Sequence, residues 1–187
     1  NSAFSDCKYL SHVTMTDSIT RIGESAFSGC TSLRNIIVPK YLSQLSSNVF
    51  SRTGLVNVTI PNQITIIYDS AFAFCSELTN IIIPSSVREI GDYAFSGCSS
   101  LSKIDLPAEL MRIGLNAFDN CKALTEIKLP SGIKVIEDYA FRNCKSLQFV
   151  NIPNTVQEIG YWAFSGCTSL TQITIPPHFT SIGKTFD

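Results

Sequence analysis

The strongest constraint on the fold is a repeat of 23 residues that runs through the whole chain. A phenylalanine, usually preceded by alanine, recurs once in each repeat. The column of these side chains consists of Phe4, Phe27, Phe50, Phe72, Phe95, Phe118, Phe141 and Phe164. Successive members are 23 residues apart, except that Phe50 and Phe72 are 22 apart. A fixed period of this length is typical of solenoid proteins, in which each repeat forms one turn of a stacked array.

Residue types at several other positions of the unit recur with the same spacing. Cysteine follows the phenylalanine by three residues, leucine follows it by six, and a proline closes an alternating aliphatic pair. The unit reads A-F-x-x-C-x-x-L-x-x-I-x-I-P-x-x-V-x-x-I-G-x-x. The third unit is one residue short between Phe50 and Leu55 and has Thr53 in the cysteine position. Thr16 replaces a proline, and Phe186 comes one residue early.

The segment L-x-x-I-x-I, for example Leu101 to Leu106, predicts a short β-strand. It alternates apolar and polar residues, is rich in β-branched side chains and ends at a proline, which cannot donate to a ladder. Because equivalent strands of neighbouring repeats stack at about 4.8 Å, eight strands would form a parallel sheet roughly 34 Å across. The V-x-x-I segment, for example Val87 to Ile90, is expected to form the return wall of the solenoid.

Residues that tolerate a left-handed backbone precede the cysteine position in six of the eight units. They are Asp6, Gly29, Gly97, Asn120, Asn143 and Gly166. We expect a short α or 3-10 turn to end at each of them, over segments such as Asp92 to Ser96. The alanine and phenylalanine of that turn are expected to face the core.

The unit resembles the leucine-rich repeat of the BspA-like proteins, also called the Treponema pallidum type, over nearly the entire chain. The resemblance implies a right-handed leucine-rich repeat solenoid of the α/β horseshoe type. It has a parallel β-sheet on one face and short helical or 3-10 turns and short strands on the others. Residues 1–187 are expected to form a single domain of about eight repeats of 22–23 residues. Since no initiator methionine or signal peptide opens it, we expect a fragment of a longer protein.

The charge balance argues against two classes of partner. Fourteen Lys and Arg residues nearly balance fifteen Asp and Glu residues, and no basic block is present. We therefore expect no binding to nucleic acid and no docking on an anionic lipid surface. No apolar run approaches the roughly 20 residues that cross a bilayer, so this segment is not expected to insert into a membrane.

Motifs for catalysis and metal binding are missing from the sequence. The chain lacks a dinucleotide-binding glycine motif, a P-loop, a zincin motif and a nucleophile elbow. Its two histidines, His12 and His178, lie at opposite ends of the array and are expected on the surface. We expect no enzyme activity, no catalytic residue, no cofactor and no metal.

The cysteine column is interpreted as a buried structural ladder. Metal sites bring ligands together at short spacings such as C-x-x-C, whereas these thiols lie a full repeat apart. Side chains stacked in parallel do not point at one another as a disulfide requires. The predicted ladder consists of Cys30, Cys75, Cys98, Cys121, Cys144 and Cys167.

Side chains alternate across a strand, so the residues beside each central inward aliphatic must face outward. These outward positions vary along the chain, as expected of a ligand-binding face. The candidate ligand-binding residues are Asn35, Ile37, Asn57, Thr59, Asn80, Ile82, Lys103, Asp105, Glu126, Lys128, Phe149, Asn151 and Gln172. Asn57 also opens an N-glycosylation acceptor, Asn-Val-Thr, and its use is left open.

The second half of this predicted face is charged. Lys103 next to Glu126 and Asp105 next to Lys128 are expected to form opposite-charge pairs across adjacent strands, each contributing about a few tenths of a kcal/mol. Recognition of a partner is the alternative role for these charges. Phe149 is either an aromatic anchor for a ligand or an ordinary exposed residue.

The resemblance implies a non-enzymatic module that binds a protein ligand through the concave sheet face. It implies a cell-surface or secreted location in a bacterium or a parasitic protist. The ligand would be a host cell, an extracellular matrix protein or another microbe. Two alternatives stay open: an intracellular scaffold or regulator, for example of a phosphatase, and a structural spacer. Hydrolase activity is the least favoured possibility.

Overall fold

The computed structural model describes residues 1–179, so the irregular position at Phe186 lies outside the described residues. The chain forms a solenoid with two walls of parallel strands. The strands of the first wall have three residues each and are β1 (Asn35–Ile37), β3 (Asn57–Thr59), β5 (Asn80–Ile82), β7 (Lys103–Asp105), β9 (Glu126–Lys128), β11 (Phe149–Asn151) and β13 (Gln172–Thr174). The strands of the return wall have two residues each and are β2 (Gln44–Leu45), β4 (Ile66–Ile67), β6 (Glu89–Ile90), β8 (Arg112–Ile113), β10 (Val135–Ile136) and β12 (Glu158–Ile159).

Equivalent strands of neighbouring repeats pair in parallel and in register. Asn57, for example, lies between Asn35 and Asn80. The central residue of each three-residue strand faces the core, and its two neighbours point outward. The structure therefore confirms the leucine-rich repeat solenoid and the alternation that the sequence predicted.

The first wall has seven strands within residues 1–179 rather than the predicted eight. Residues 12–14, the expected first strand, form no ladder. The core side chains beside them, Leu10 and Val13, are only partly buried. The first repeat therefore packs against the core without adding a strand to the first wall.

The phenylalanine column forms the centre of the core. From Phe27 to Phe164 these rings are at most 3% exposed. Neighbouring rings stack with centroids 5.3 to 5.9 Å apart. Each ring is therefore covered by the rings of the two adjacent repeats, and no single repeat can bury its own phenylalanine.

The predicted helical turns are wrong, because residues 92–97 and their equivalents are successive turns without helix. Alternate backbone N–H groups close short turns, as Ser96 N does to Tyr93 O at 3.0 Å. The N–H groups between them donate to the next repeat, as Phe95 N does to Ala117 O at 2.8 Å. A helix would use all of these donors within the segment, whereas here half of them join one repeat to the next.

A left-handed backbone occurs at two positions of each turn segment rather than one. The six residues expected before the cysteine position have positive φ, and Arg52 and Phe74 adopt the same conformation in the remaining two units. A second column with positive φ lies two residues before each core phenylalanine. It consists of Ser2, Ser25, Asn48, Ser70, Tyr93, Asn116, Tyr139 and Trp162. Left-handed residues four apart interrupt any helix, which explains the turn structure.

Both walls are interrupted at one junction between repeats. The ladders β1-β3-β5-β7 and β2-β4-β6-β8 end there, and β9-β11-β13 and β10-β12 begin beyond it. At the interrupted junction of the return wall, Glu137 N does not donate to Ile113 O within the described residues. At the next junction along the chain the equivalent bond is present, because Gly160 N donates to Ile136 O at 2.7 Å. The phenylalanine stack continues across the junction, with Phe118 5.4 Å from each neighbouring ring. The interruption is confined to the walls.

Hydrogen bonds at the corner after the return wall explain the glycine of the repeat. At four corners a side-chain Oδ1 accepts from a backbone N–H one repeat later. The acceptors are Asn1, Asp69, Asp92 and Asp138. A Cβ would lie within 2.7 Å of that oxygen at each glycine beside it, namely Gly23, Gly91, Gly114 and Gly160. At the interrupted junction Leu115 offers no acceptor, and Glu137 stands in the glycine position.

Replacing Gly91 with Ala is expected to lower the free energy of unfolding by about 1–3 kcal/mol, because the new Cβ overlaps Asp69. Urea denaturation measures the loss. Glu137→Ala is the matched control, since it changes the same position of the repeat where no acceptor lies beside it, and it should change stability by less than about 0.5 kcal/mol. Equal losses in the two variants would refute the steric explanation.

Candidate binding face

The outward side chains of the seven three-residue strands form two columns, which we name the strand face. The structure brings all thirteen predicted binding residues onto this face in consecutive strands. Their apolar members are unusually open. Ile37 is 82% exposed and Ile82 is 67% exposed, and Thr59 lies between them in register. These isoleucines keep most of their surface in contact with water after folding, so core packing does not account for them.

A depression of about 350 Å³ lies at the N-terminal end of the strand face. The outward side chains of β1 and β3 line one part of it. Residues His12, Val13 and Thr14 of the preceding repeat line the other part. The depression therefore combines apolar, amide, hydroxyl and imidazole groups from three successive repeats, which suits a ligand with mixed surface chemistry.

The asparagine ladder presents free amide groups beside this depression. Asn35, Asn57 and Asn80 are exposed and lie opposite one another in β1, β3 and β5. Their side chains form no hydrogen bond with any residue between 1 and 179. Each amide offers donors and acceptors at once, so the ladder can bind polar ligands of either type.

The predicted cross-strand charge pairs are not formed. Lys103 Nζ instead lies 3.4 Å from Asp105 Oδ2 in its own strand. Glu126 and Lys128 take part in no ion pair within residues 1–179. The strands β7 and β9 lie side by side, since Thr125 N donates to Ser102 O at 3.2 Å, although the assigned ladder is interrupted between them.

Phe149 is less open than the two isoleucines. It is 37% exposed and lies in register between Glu126 and Gln172. Part of the ring is therefore available to a ligand and part is covered by the neighbouring strands. Asn151, the other outward residue of β11, is exposed on the same side.

The six cysteines of the predicted ladder lie in one column, and each of their thiols donates to a backbone carbonyl of the preceding repeat. Cys98 Sγ lies 3.1 Å from Phe72 O, and Cys121 Sγ lies 3.2 Å from Phe95 O. The same contact recurs at Cys30, Cys75, Cys144 and Cys167. No disulfide joins the cysteines of the described residues. The column thus adds a row of hydrogen bonds along the core.

Burial raises the pKa of these thiols. The pKa of Cys75 rises to about 11, mainly because the thiolate would lose its hydration. The pKa values of Cys98, Cys121 and Cys144 are raised well above the ordinary value for the same reason, with neighbouring thiols adding to the shift. The thiols are therefore neutral near pH 7, and a neutral buried thiol is a poor nucleophile and a poor metal ligand.

Residues 1–179 contain no group of three or more histidine, cysteine or acidic side chains placed to hold a metal. His178 Nε2 contacts Val156 O at 2.7 Å, and His12 lies at the depression described above. Within the same residues, no helix has the length and apolar character needed to cross a membrane.

A set of aromatic side chains that the sequence analysis missed lies at the turn segments. We name Tyr93, Tyr139, Tyr161 and Trp162 the aromatic edge. Tyr139 and Trp162 stack at 5.5 Å, and Tyr161 is tilted against Trp162 at 6.3 Å. The available signal was the position two residues before each core phenylalanine, which holds serine or asparagine in five units and an aromatic residue in three.

Arg142 completes this edge. Its guanidinium lies over the ring of Tyr139 at 4.7 Å and donates to both carboxylate oxygens of Asp119, at 2.9 and 2.8 Å. These hydrogen bonds raise the pKa of Arg142, and the nearby Tyr139 and Tyr93 add to the effect. The edge therefore holds one arginine between a carboxylate and aromatic rings.

Comparison with protein families gives a match along the whole chain. The model of the BspA type leucine rich repeat region matches residues 1–125 and 112–186, with six copies. No curated protein matches the chain.

Solved structures with the same architecture come from several bacteria. A leucine-rich repeat protein of Treponema pallidum is 30% identical with a TM-score of 0.74, over 80% of this chain and 70% of that one. A leucine-rich repeat protein of Bacteroides ovatus is 28% identical with a TM-score of 0.64, over 92% of this chain and 57% of that one. The pneumococcal vaccine antigen PcpA shares the fold at 21% identity and a TM-score of 0.58, over 89% of this chain and 51% of that one.

Proposed function

The chain belongs to the BspA type leucine-rich repeat family, whose repeats form a protein-interaction module, and we propose that it binds a protein ligand through its strand face. The proposal includes no enzyme activity. One observation carries it: large apolar side chains and free amides occupy consecutive outward positions of a rigid lattice. Ile37 and Ile82 are mostly exposed beside the asparagine ladder, and Phe149 lies farther along the same face.

Burial of these isoleucines by a partner supplies the driving force for binding. Fully covering an isoleucine side chain contributes about 1.5–3 kcal/mol, before the cost of association is subtracted. The neighbouring asparagines and Thr59 then bind the polar groups of the ligand and set its orientation. The depression at β1 and β3 gives that ligand a shaped point of entry.

Adhesion at a cell surface is the role we propose for this binding. The resemblance to BspA-like surface proteins supports it, with host proteins, host cells or other microbes as ligands. The fold is shared with a protein described as a vaccine antigen, PcpA, which agrees with an exposed location. An intracellular scaffold, for example for a phosphatase, and a structural spacer are the competing functions that the experiment must separate.

Two strand-face variants and one matched control test the proposal. Ile37→Lys with Ile82→Lys changes the apolar half, and Phe149→Asp with Lys128→Glu changes the other half. Met111→Lys is the control, because Met111 is 66% exposed beside β8 in the return wall, away from the strand face. Each protein is immobilised and offered purified extracellular matrix proteins, solubilised host membrane proteins and a cytosolic lysate.

We expect the wild type and Met111→Lys to retain a matrix or membrane protein, and at least one strand-face variant to lose about tenfold or more in affinity. Thermal melting curves confirm that all variants are folded. If the wild type and all three variants retain the same ligand, the binding site lies outside the strand face. Capture from the cytosol alone would favour the scaffold, and no capture from any source would favour the spacer.

A further inference from the structure

We propose that the aromatic edge is a second binding surface, which takes an arginine-bearing segment of a partner protein. The site lies on the turn segments and shares no residue with the strand face. Its rings are Tyr93, Tyr139, Tyr161 and Trp162, and acidic side chains lie next to them in the chain. The inference is independent of the proposed strand-face function.

The rings are open enough to receive a partner. Tyr161 is 63% exposed and Tyr93 is 41% exposed, and Tyr139 and Trp162 are half-buried. The chain has six tyrosines and one tryptophan, and four of these seven residues lie on this edge. Tyrosine, tryptophan and arginine are the residues most enriched in the hot spots of protein interfaces. The strand face, by contrast, contains a single aromatic residue, Phe149.

Three of these aromatic residues have an energetically unfavourable backbone conformation. Tyr93, Tyr139 and Trp162 have φ angles of 58°, 57° and 51°. A left-handed backbone costs most residues roughly 1–2 kcal/mol, and bulky side chains are rare there. Ser70 and Asn116 occupy the same column and suit it better. A strained conformation at residues that contribute no core packing points to a functional role for their side chains.

The surrounding charges select a cationic partner. Glu137 and Asp138 directly precede Tyr139, and Glu158 precedes Tyr161 by three residues. Glu137 and Glu158 form no ion pair within residues 1–179, whereas Asp138 Oδ1 already accepts a hydrogen bond from Tyr161 N at 2.6 Å. The one arginine of the edge, Arg142, is already bound to Asp119. A positively charged side chain therefore finds two carboxylates without an ionic partner close to the aromatic residues in the chain, and the guanidinium of Arg142 is already bound.

Arg142 shows how an arginine is held at this edge. It lies over one ring at 4.7 Å and forms a two-pronged hydrogen bond with a carboxylate. Both interactions favour arginine over lysine, because the planar guanidinium stacks on rings and matches a carboxylate with two donors. Tyr161 and Glu158 are both exposed and lie three residues apart in the chain, so a ring and a carboxylate are open to a partner's arginine in this part of the edge.

Trp162 reports directly on this site, because it is the only tryptophan of the chain. The probe is a synthetic peptide of alternating arginine and glycine, titrated while the emission of Trp162 is recorded. Peptides with lysine or glutamate in place of arginine are the comparison. We expect a saturable change in emission with the arginine peptide, weaker binding of the lysine peptide and no change with the glutamate peptide.

Two variants separate this site from general charge attraction and from the strand face. Tyr161→Ala with Glu158→Lys should weaken binding of the arginine peptide by about tenfold or more. Ile37→Lys with Ile82→Lys should leave it unchanged. The proposal is overturned if the arginine peptide leaves the Trp162 emission unaltered. It is also overturned if the edge variant binds as tightly as the wild type, or if only the strand-face variant loses binding.

Discussion

Replacing Phe118 with Ala is expected to lower the free energy of unfolding by about 3–5 kcal/mol. The ring is fully buried and stacks on Phe95 and Phe141 with centroids 5.4 Å away on both sides. Its loss leaves a cavity and also removes two stacking contacts, each worth about 0.5–1.5 kcal/mol beyond the buried area. Urea denaturation followed by circular dichroism measures the change in midpoint and slope.

Phe149→Ala is the control for this loss. It removes the same side chain from a position where the ring is partly exposed and outside the stack. We expect it to cost less than about 1 kcal/mol. In a repeat array each unit contacts only its neighbours, so Phe118→Ala should also reduce the cooperativity of unfolding between the two halves. Losses of the same size in both variants would contradict a core built on the phenylalanine stack.

Raising the pH above about 9 is expected to destabilise the protein steeply. The ordinary pKa of a cysteine thiol is 9.0, and burial raises the pKa of Cys98, Cys121 and Cys144 well above it. Above pH 9 the unfolded chain therefore releases these protons while the folded chain keeps them. The stabilisation is complete below pH 9 and falls by about 1.4 kcal/mol per pH unit for each such thiol. Cys75 contributes to the loss until the pH reaches its folded pKa of about 11.

The variant Cys98→Ser tests the origin of this alkaline loss. Its hydroxyl stays neutral and can donate to the backbone as Thr53 Oγ1 does to Phe50 O at 2.8 Å. Stability is measured by denaturant titration from about pH 8 to pH 10.5 in both proteins. We expect the slope of stability against pH to be smaller in the variant by about 1.4 kcal/mol per pH unit. All other ionisable residues are the same in the two proteins, so identical slopes would assign the loss to groups other than Cys98.

The repeat made most of the fold predictable. Each column of the unit occupies one environment in every turn, so the inward positions from Phe27 to Phe164 could be assigned without a structure. The strands, the return wall and the left-handed residues before the cysteine position follow from the same spacing. The number of strands was overestimated, because residues 12–14 match the repeat in sequence but form no ladder in the structure.

The helical turns were predicted wrongly because a spacing does not show where a backbone donor finds its acceptor. Phe95 N donates to Ala117 O in the next repeat, which local propensity cannot reveal. The candidate site was likewise predictable only in part. The outward columns of the strand face were assigned correctly to one side of the sheet, and the pairing of Lys103 with Asp105 rather than Glu126 was not foreseen.

The sequence alone determined the period, the solenoid, and which side chains face the core or the solvent. These properties depend on positions within one repeat, and the same pattern recurs in eight copies. The tertiary structure decided what depends on two repeats at once. It placed Gly91 against Asp69, interrupted both walls at one junction and stacked Tyr139 on Trp162. Residues more than twenty positions apart meet in these contacts, and their relative directions exist only after the chain has been wound.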